Sequence, residues 1–141
     1  MVVQSPTRGQ LERTLSQKIQ AFYREQLGHQ PSKVTCQLFD SKLAIILEES
    51  VTPAENLLIQ EGKEDLAEKV RSNLDELLRP QLRELVTEIL KVEVTDLLSD
   101  ATLETGRTGI IAVLANSPAV RSSDHSTIAR QRKRLDQQES D

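Results

Sequence analysis

The chain has 141 residues, of which 37% are hydrophobic, and it carries a formal net charge of −4. This amount of apolar side chain suits one compact core, and the negative charge excludes a global field that would attract the molecule to nucleic acid or anionic lipid. Two Phe, one Tyr and no Trp leave few platforms on which nucleic-acid bases could stack.

The sequence has no pattern typical of a secreted or membrane-spanning protein. Its N-terminus lacks a charged segment followed by an apolar signal core, and the longest apolar runs are far shorter than the roughly 20 residues of a membrane-spanning helix. A single cysteine also excludes an internal disulfide. We therefore expect a cytoplasmic protein that does not insert into a membrane.

The first part of the chain predicts a helix followed by a β-hairpin. Apolar residues recur at spacings of three and four from Leu11 to Leu27, and Gly28 is typical of a helix end. Residues 33–39 then alternate between polar and apolar, and a turn at Asp40 leads to an apolar strand at 43–47. Because this second strand is apolar on both faces, we expect it inside a sheet or beneath a partner.

A capping box predicts the start of the next helix. Thr52 can accept a hydrogen bond from the backbone of Glu55, whose side chain can reach back to the backbone of Thr52, and Pro53 suits the first helical position. The short helix that follows ends near Gln60.

A longer amphipathic helix is predicted from Glu64 to Leu90 by a continuous stripe of Leu, Val and Ile. Pro80 falls inside this stripe and removes one backbone hydrogen bond, so a kink is expected near 76–79. Since the apolar register continues across the proline, the pattern favours one bent helix over two separate helices.

A second hairpin completes the predicted fold. Its first strand is expected at 92–98, its turn at 104–107 and its second strand at 108–114. The order helix, hairpin, helix, hairpin predicts an α+β fold in which amphipathic helices cover one face of a four-stranded, mostly antiparallel sheet. We interpret the uncovered face as a candidate dimer surface.

The ends of the chain lie outside this predicted domain. We assign residues 1–8 to an N-terminal arm, 9–115 to a single domain and 116–141 to a polar tail that is disordered or partly helical. The basic residues of the tail are Arg130, Arg132, Lys133 and Arg134. A solvated tail is the simpler interpretation because acidic residues follow directly, and the alternative is an electrostatic arm that binds nucleic acid.

The sequence predicts no catalytic, metal or cofactor site. His29 and His125 do not have zinc-ligand spacing with Cys36, which alternates with apolar neighbours and is interpreted as a buried small hydrophobe rather than a nucleophile. Three carboxylates that could suggest acid–base chemistry or a divalent cation are Glu48, Glu49 and Glu55. Capping explains the last, and a solvated strand end explains the other two.

Four short motifs follow one another in order between Leu11 and Ala115. They are Gly28-His29-Gln30-Pro31, Val51-Thr52-Pro53-Ala54-Glu55-Asn56-Leu57-Leu58, Val70-Arg71 and Val92-Glu93-Val94. In these motifs the chain resembles the MpsC family, named after the third component of a proposed sodium-translocating, membrane-potential-generating system. The resemblance implies an accessory role in membrane ion or bicarbonate transport without established catalytic residues. It marks Arg71 and Glu55 as candidate partner-binding positions, for which a structural role is the simpler interpretation.

Taken together, these patterns predict a non-enzymatic accessory or regulatory domain that acts by protein–protein interaction. The two-sided apolar strand and the long leucine stripe favour a homodimer and a further protein partner, such as a membrane transporter subunit. The alternative is a nucleic-acid-associated regulator that uses the basic tail, although nucleic acid is not the expected partner. An enzyme is disfavoured because the chain has no set of nucleophile, base and orienting residue.

Overall fold

A computed structural model describes residues 5–121 of the chain. Within this range three helices and four strands follow one another. In chain order they are α1 Arg8–Leu27, β1 Lys33–Phe39, β2 Lys42–Glu48, α2 Pro53–Gln60, α3 Glu64–Leu90, β3 Val94–Thr102 and β4 Arg107–Leu114. The predicted α+β class and the predicted order of elements are confirmed.

Helix α1 is fixed at both ends by its own sequence. Thr7 and Gln10 form a capping box, in which each side chain bonds the backbone N–H of the other residue. Gly28 ends the helix in the left-handed conformation with a φ of 67°, which a residue with a side chain rarely adopts. The helix buries one stripe of side chains, Leu11, Leu15, Ile19 and Tyr23.

Helix α3 is continuous over 27 residues although Pro80 lies inside it. Pro80 is exposed, and so is Glu76, whose carbonyl loses its helical donor at the proline, so water can satisfy that carbonyl. The prediction of one helix rather than two is confirmed. Lys91 ends the helix in the left-handed conformation with a φ of 58°.

The strands form one antiparallel sheet in the order β1-β2-β4-β3. Strand β2 pairs with both β1 and β4, which confirms the interior position expected from its two apolar faces. Strand β3 extends to Thr102, beyond the predicted end at 98. The prediction stopped early because β3 is an edge strand and its last four residues do not alternate between apolar and polar. A β-bulge between Val94 and Asp96 shifts its register.

The core lies between one face of the sheet and helices α1 and α3. Strands β1, β2 and β4 contribute alternate residues to it, as in β1, where Val34, Cys36 and Leu38 are buried and their neighbours are exposed. Strand β3 contributes Val94 and Leu97, on either side of the bulge. Row by row, Cys36 lies beside Ile45 on β2, which lies beside Ile110 on β4. The opposite face of the sheet has no helix over it within residues 5–121, and we call it the open face.

The first residues of the predicted tail pack against the domain. Pro118 is buried, Val120 contacts the core, and the backbone N–H of Arg121 donates a hydrogen bond to the carbonyl of Pro6 at 2.9 Å. The rest of the predicted tail, residues 122–141, lies outside the described residues, as do residues 1–4 of the predicted arm.

Candidate functional site

A buried ion pair joins helix α3 to the first turn of α2. Arg71 donates from Nε to Glu55 Oε2 at 2.8 Å and from Nη2 to Glu55 Oε1 at 2.7 Å. The same Nη2 donates to the carbonyl of Ser50 at 2.7 Å, and Nη1 reaches Asp75 at 3.5 Å. The Glu55 and Arg71 side chains are 0% and 5% exposed, so the pair is desolvated and bidentate.

The local sequence positions Glu55 before Arg71 meets it. Thr52 donates to Glu55 Oε1 from its backbone N–H at 3.1 Å and from its hydroxyl at 2.8 Å, while the Glu55 N–H donates to the Thr52 hydroxyl oxygen. The predicted capping box is therefore confirmed, and it holds a carboxylate whose two oxygens both accept hydrogen bonds. Sequence spacing shows the cap but not the arginine that pairs with it 16 residues later.

Ser50 connects this pair to the sheet. Its hydroxyl donates to the carbonyl of Gly106 at 3.0 Å and lies 2.7 Å from the hydroxyl of Thr108 on β4. Both hydroxyls are buried, so their mutual hydrogen bond offsets the loss of water. No motif in the sequence indicates this contact, because its two members are 58 residues apart.

A cleft of about 600 Å³ lies between α3 and the β3–β4 hairpin. Arg71, Asp75 and Arg79 line it from the helix, and Ser99 and Ala101 line it from β3. Burial raises the pKa of Asp75, and the neighbouring Arg71 only partly offsets this effect. Arg79 donates from Nη2 to the hydroxyl of Ser99 at 3.3 Å, but its buried Nε has no hydrogen-bond partner within residues 5–121.

Cys36 is buried, as its alternation with apolar neighbours predicts. It lies on the covered face of β1 with 8% of its surface exposed. Burial raises the pKa of its thiol to about 11. The negative charge of Glu12 also raises this pKa, whereas a hydrogen bond with Ser16 lowers it. A thiol in this environment is protonated at neutral pH and is a poor nucleophile.

The remaining candidate ligands do not form a metal centre within residues 5–121. The His29 ring bonds the carbonyl of Glu49 at 2.8 Å, Glu49 is exposed, and Glu48 pairs with Arg107 at 2.7 Å. Across the described part of the chain, no group of three or more His, Cys, Asp or Glu side chains is placed to hold a metal ion. His125 lies outside these residues.

The open face of the sheet carries an exposed apolar surface. Phe39 on β1, Ile46 on β2, Ile111 on β4 and Leu98 on β3 are each between 36% and 54% exposed. They point away from the core because each directly follows a buried residue on its strand. Their strands are adjacent, so these side chains belong to one surface rather than to scattered positions.

The predicted site residues are thus divided by the structure. Arg71 and Glu55 are brought together, but they are buried and bound to each other, and their assignment to partner binding stays a prediction. The basic residues of the tail, Arg130, Arg132, Lys133 and Arg134, lie outside the described residues. The exposed apolar surface was predicted only in general terms, as an uncovered face of the sheet.

These observations define a small α+β protein with an internal ion pair, an open apolar sheet face and, in residues 5–121, no helix long and apolar enough to span a bilayer. The chain belongs to the MpsC family. Residues 7–116 match the family model described as "Na+-translocating membrane potential-generating system (MpsC)", which confirms the resemblance seen in the sequence motifs. No curated protein and no solved structure matches the chain.

Proposed function

We propose that this protein is a non-enzymatic accessory component of a membrane-potential-generating sodium system and that it acts in the cytoplasm by binding protein partners. The family description supplies the link to sodium translocation and membrane potential. The observation that carries the proposed mode of action is the exposed apolar surface on the open face. Bicarbonate transport is the alternative process that such an accessory protein could serve.

The composition of the open face supports a docking role. Large apolar side chains scattered singly over a surface are common, but contiguous apolar patches on adjacent elements are typical of interaction sites. Ile46 and Ile111 lie on the two central strands, where a flat partner surface can cover both at once. Covering them would remove apolar area from water, at about 25 cal/mol for each Å².

The polar groups of the domain support a non-enzymatic role. Arg71 and Glu55 use their donors and acceptors on each other and on nearby backbone groups. Cys36 is buried on the covered face of the sheet, away from solvent. In this proposal Glu55 and Arg71 act indirectly, because they hold α2 against α3 and so maintain the domain that presents the open face.

The test is complementation in a strain of the source organism that lacks this protein. Sodium-dependent membrane potential is measured with a potential-sensitive dye after reintroduction of wild type, Ile111→Arg or Leu77→Arg. Leu77 is the matched control, since it is 69% exposed but lies on α3, away from the open face. We expect wild type and Leu77→Arg to restore the potential and Ile111→Arg to fail.

Circular dichroism and immunoblotting must show that all three proteins are folded and equally abundant. Full restoration by a folded Ile111→Arg protein would contradict the proposed role of the open face. Restoration by none of the three proteins, including wild type, would contradict the link to membrane potential.

A further inference from the structure

We propose that the open face binds a second copy of this chain and that the two copies are related by a twofold axis parallel to the strands. This inference rests on the proposed function, because it names an occupant for the same face. It goes further in assigning the orientation of the two sheets and the residues that select it. Charge and side-chain size are distributed across the four strands so that the face is complementary to itself in this orientation.

Charge is separated across the open face. Lys33 on β1 and Lys42 on β2 make one side basic, while Asp96 and Asp100 on β3 make the other side acidic. All four residues are exposed. Between the two sides, Glu48 and Arg107 pair at 2.7 Å and neutralise each other.

This separation makes the face complementary to itself in one orientation. A twofold axis parallel to the strands places β1 of one copy over β3 of the other, so each basic side meets an acidic side and the contact occurs twice. Lys42 then lies next to Asp96 of the other copy, and Lys33 next to Asp100. An axis perpendicular to the strands would instead stack β3 on β3 and bring the four aspartates together, which is repulsive.

The central rows of the face fit the same orientation. Ile46 pairs with Gly109 in one row, and Ala44 pairs with Ile111 in the next row. A twofold axis parallel to the strands places each row opposite the same row of the other copy with the strand order reversed. Ile46 of one copy therefore faces Gly109 of the other, and Ile111 faces Ala44. Packing large side chains against small ones is how two sheets interdigitate at a separation of about 10 Å.

The size of the face predicts the strength of this dimer. Four strands about 4.8 Å apart, with seven residues each about 3.3 Å long, cover roughly 400 Å². This footprint is about half of the ~800 Å² that each partner buries in a standard stable interface. We therefore expect a concentration-dependent dimer with a dissociation constant in roughly the micromolar range, in which the charged sides influence affinity.

The experiment is sedimentation equilibrium of the full chain at concentrations below and above the expected dissociation constant. The variants are Lys42→Asp and Asp96→Lys, each measured alone and mixed one to one. Lys18→Asp is the matched control, because Lys18 is exposed on α1 and distant from the open face. Each single variant should raise the dissociation constant by about tenfold or more, since its contact occurs twice in the dimer.

The mixture of Lys42→Asp and Asp96→Lys is the decisive arm. In a mixed dimer, Asp96 of the Lys42→Asp copy meets Lys42 of the Asp96→Lys copy, as in the wild type. At the other contact the two substituted positions meet with their charges exchanged, so they also attract each other. Dimerisation should therefore return to near the wild-type level. The Lys18→Asp control should behave as wild type. Urea unfolding must show intact domains, because Asp96 also accepts a hydrogen bond from the N–H of Leu97.

Three results would overturn this inference: a wild-type chain that is monomeric at every concentration, single variants that dimerise normally, or a mixture that fails to recover. These results are separable from those of complementation. A monomeric wild type combined with an inactive Ile111→Arg protein leaves the proposed function standing and assigns the face to a different protein. A stable wild-type dimer combined with an active Ile111→Arg protein supports the dimer and contradicts the role of the open face in the proposed function.

Discussion

Two arginine–carboxylate pairs of this domain have the same shortest separation but different surroundings. Arg71 meets Glu55 at 2.7 Å, and Arg107 meets Glu48 at 2.7 Å. The first pair is buried, with 5% and 0% of its side chains exposed, while the second is 60% and 32% exposed. Distance alone therefore says little about the contribution of a pair, since water access decides what its loss would cost.

The two pairs also differ in how many other groups they engage. Glu55 accepts hydrogen bonds from the backbone and hydroxyl of Thr52, and Arg71 donates to the carbonyl of Ser50 as well as to Glu55. Arg107 donates a single bond to Glu48. The buried pair thus joins three segments of the chain, whereas the exposed pair joins two adjacent strands that the sheet already holds together.

The largest expected effect is that of replacing Arg71. Arg71→Met leaves the Glu55 carboxylate buried without its cation and the Ser50 carbonyl without its donor. Breaking a buried pair from one side costs about 3–5 kcal/mol, so a loss of this size is expected in the free energy of unfolding. Urea denaturation followed by circular dichroism measures it.

The matched control for Arg71→Met is the double variant that also carries Glu55→Leu. Because this variant removes both charges, part of the lost stability should return, although the capping interaction with Thr52 is still lost at a cost of about 1 kcal/mol. A single Arg71→Met variant that loses less than about 1 kcal/mol would show that the pair is as weak as an exposed one.

The buried pair also shows where sequence reasoning stops. The cap that holds Glu55 could be predicted, because its members are three residues apart and belong to one helix start. Its pairing with Arg71 could not, since the two residues are 16 positions apart and meet only when α3 packs against α2. The resemblance to a family marked both positions without showing that they touch.

The sheet gives a similar lesson. Both hairpins could be predicted from alternating patterns and turn residues, and the two-sided apolar character of β2 indicated an interior strand. The neighbour of β2 was not predictable, because pairing of β2 with β4 depends on how the two hairpins meet. The polar residues of β3 concealed its last part, since an edge strand does not need a regular apolar alternation.

The second prediction concerns the pH dependence contributed by Asp75, which lies beside the buried pair. Its pKa is raised by burial, so the folded state disfavours the charged carboxylate more than the unfolded state does. The stabilising contribution of Asp75 is therefore complete below its unfolded pKa and is lost as pH rises through its folded pKa. Asp75→Asn cannot ionise and should gain stability relative to wild type as pH rises above the unfolded pKa of about 4.

Urea unfolding of wild type and Asp75→Asn at pH values below and above this pKa tests the direction of the effect. Glu76→Gln is the matched control, because Glu76 is the next residue of α3 and is exposed. If Asp75→Asn instead lost stability relative to wild type as pH rose, attraction to Arg71 would outweigh burial, and the region would resemble the Glu55–Arg71 pair more closely than its geometry indicates.

The smallest expected effect is that of breaking the exposed pair. Arg107→Gln removes a 2.7 Å bond to Glu48, but both side chains then remain in contact with water, so the free energy of unfolding should fall by only about 0–1 kcal/mol. A double-mutant cycle with Glu48→Gln isolates the interaction from other effects of each change. A coupling energy comparable to that of Arg71 and Glu55 would mean that the open face is shielded from water in solution, as a second copy of the chain would shield it. Repeating the cycle at protein concentrations too low for dimer formation tests this explanation, because the coupling energy of a pair that is shielded only in the dimer should fall on dilution.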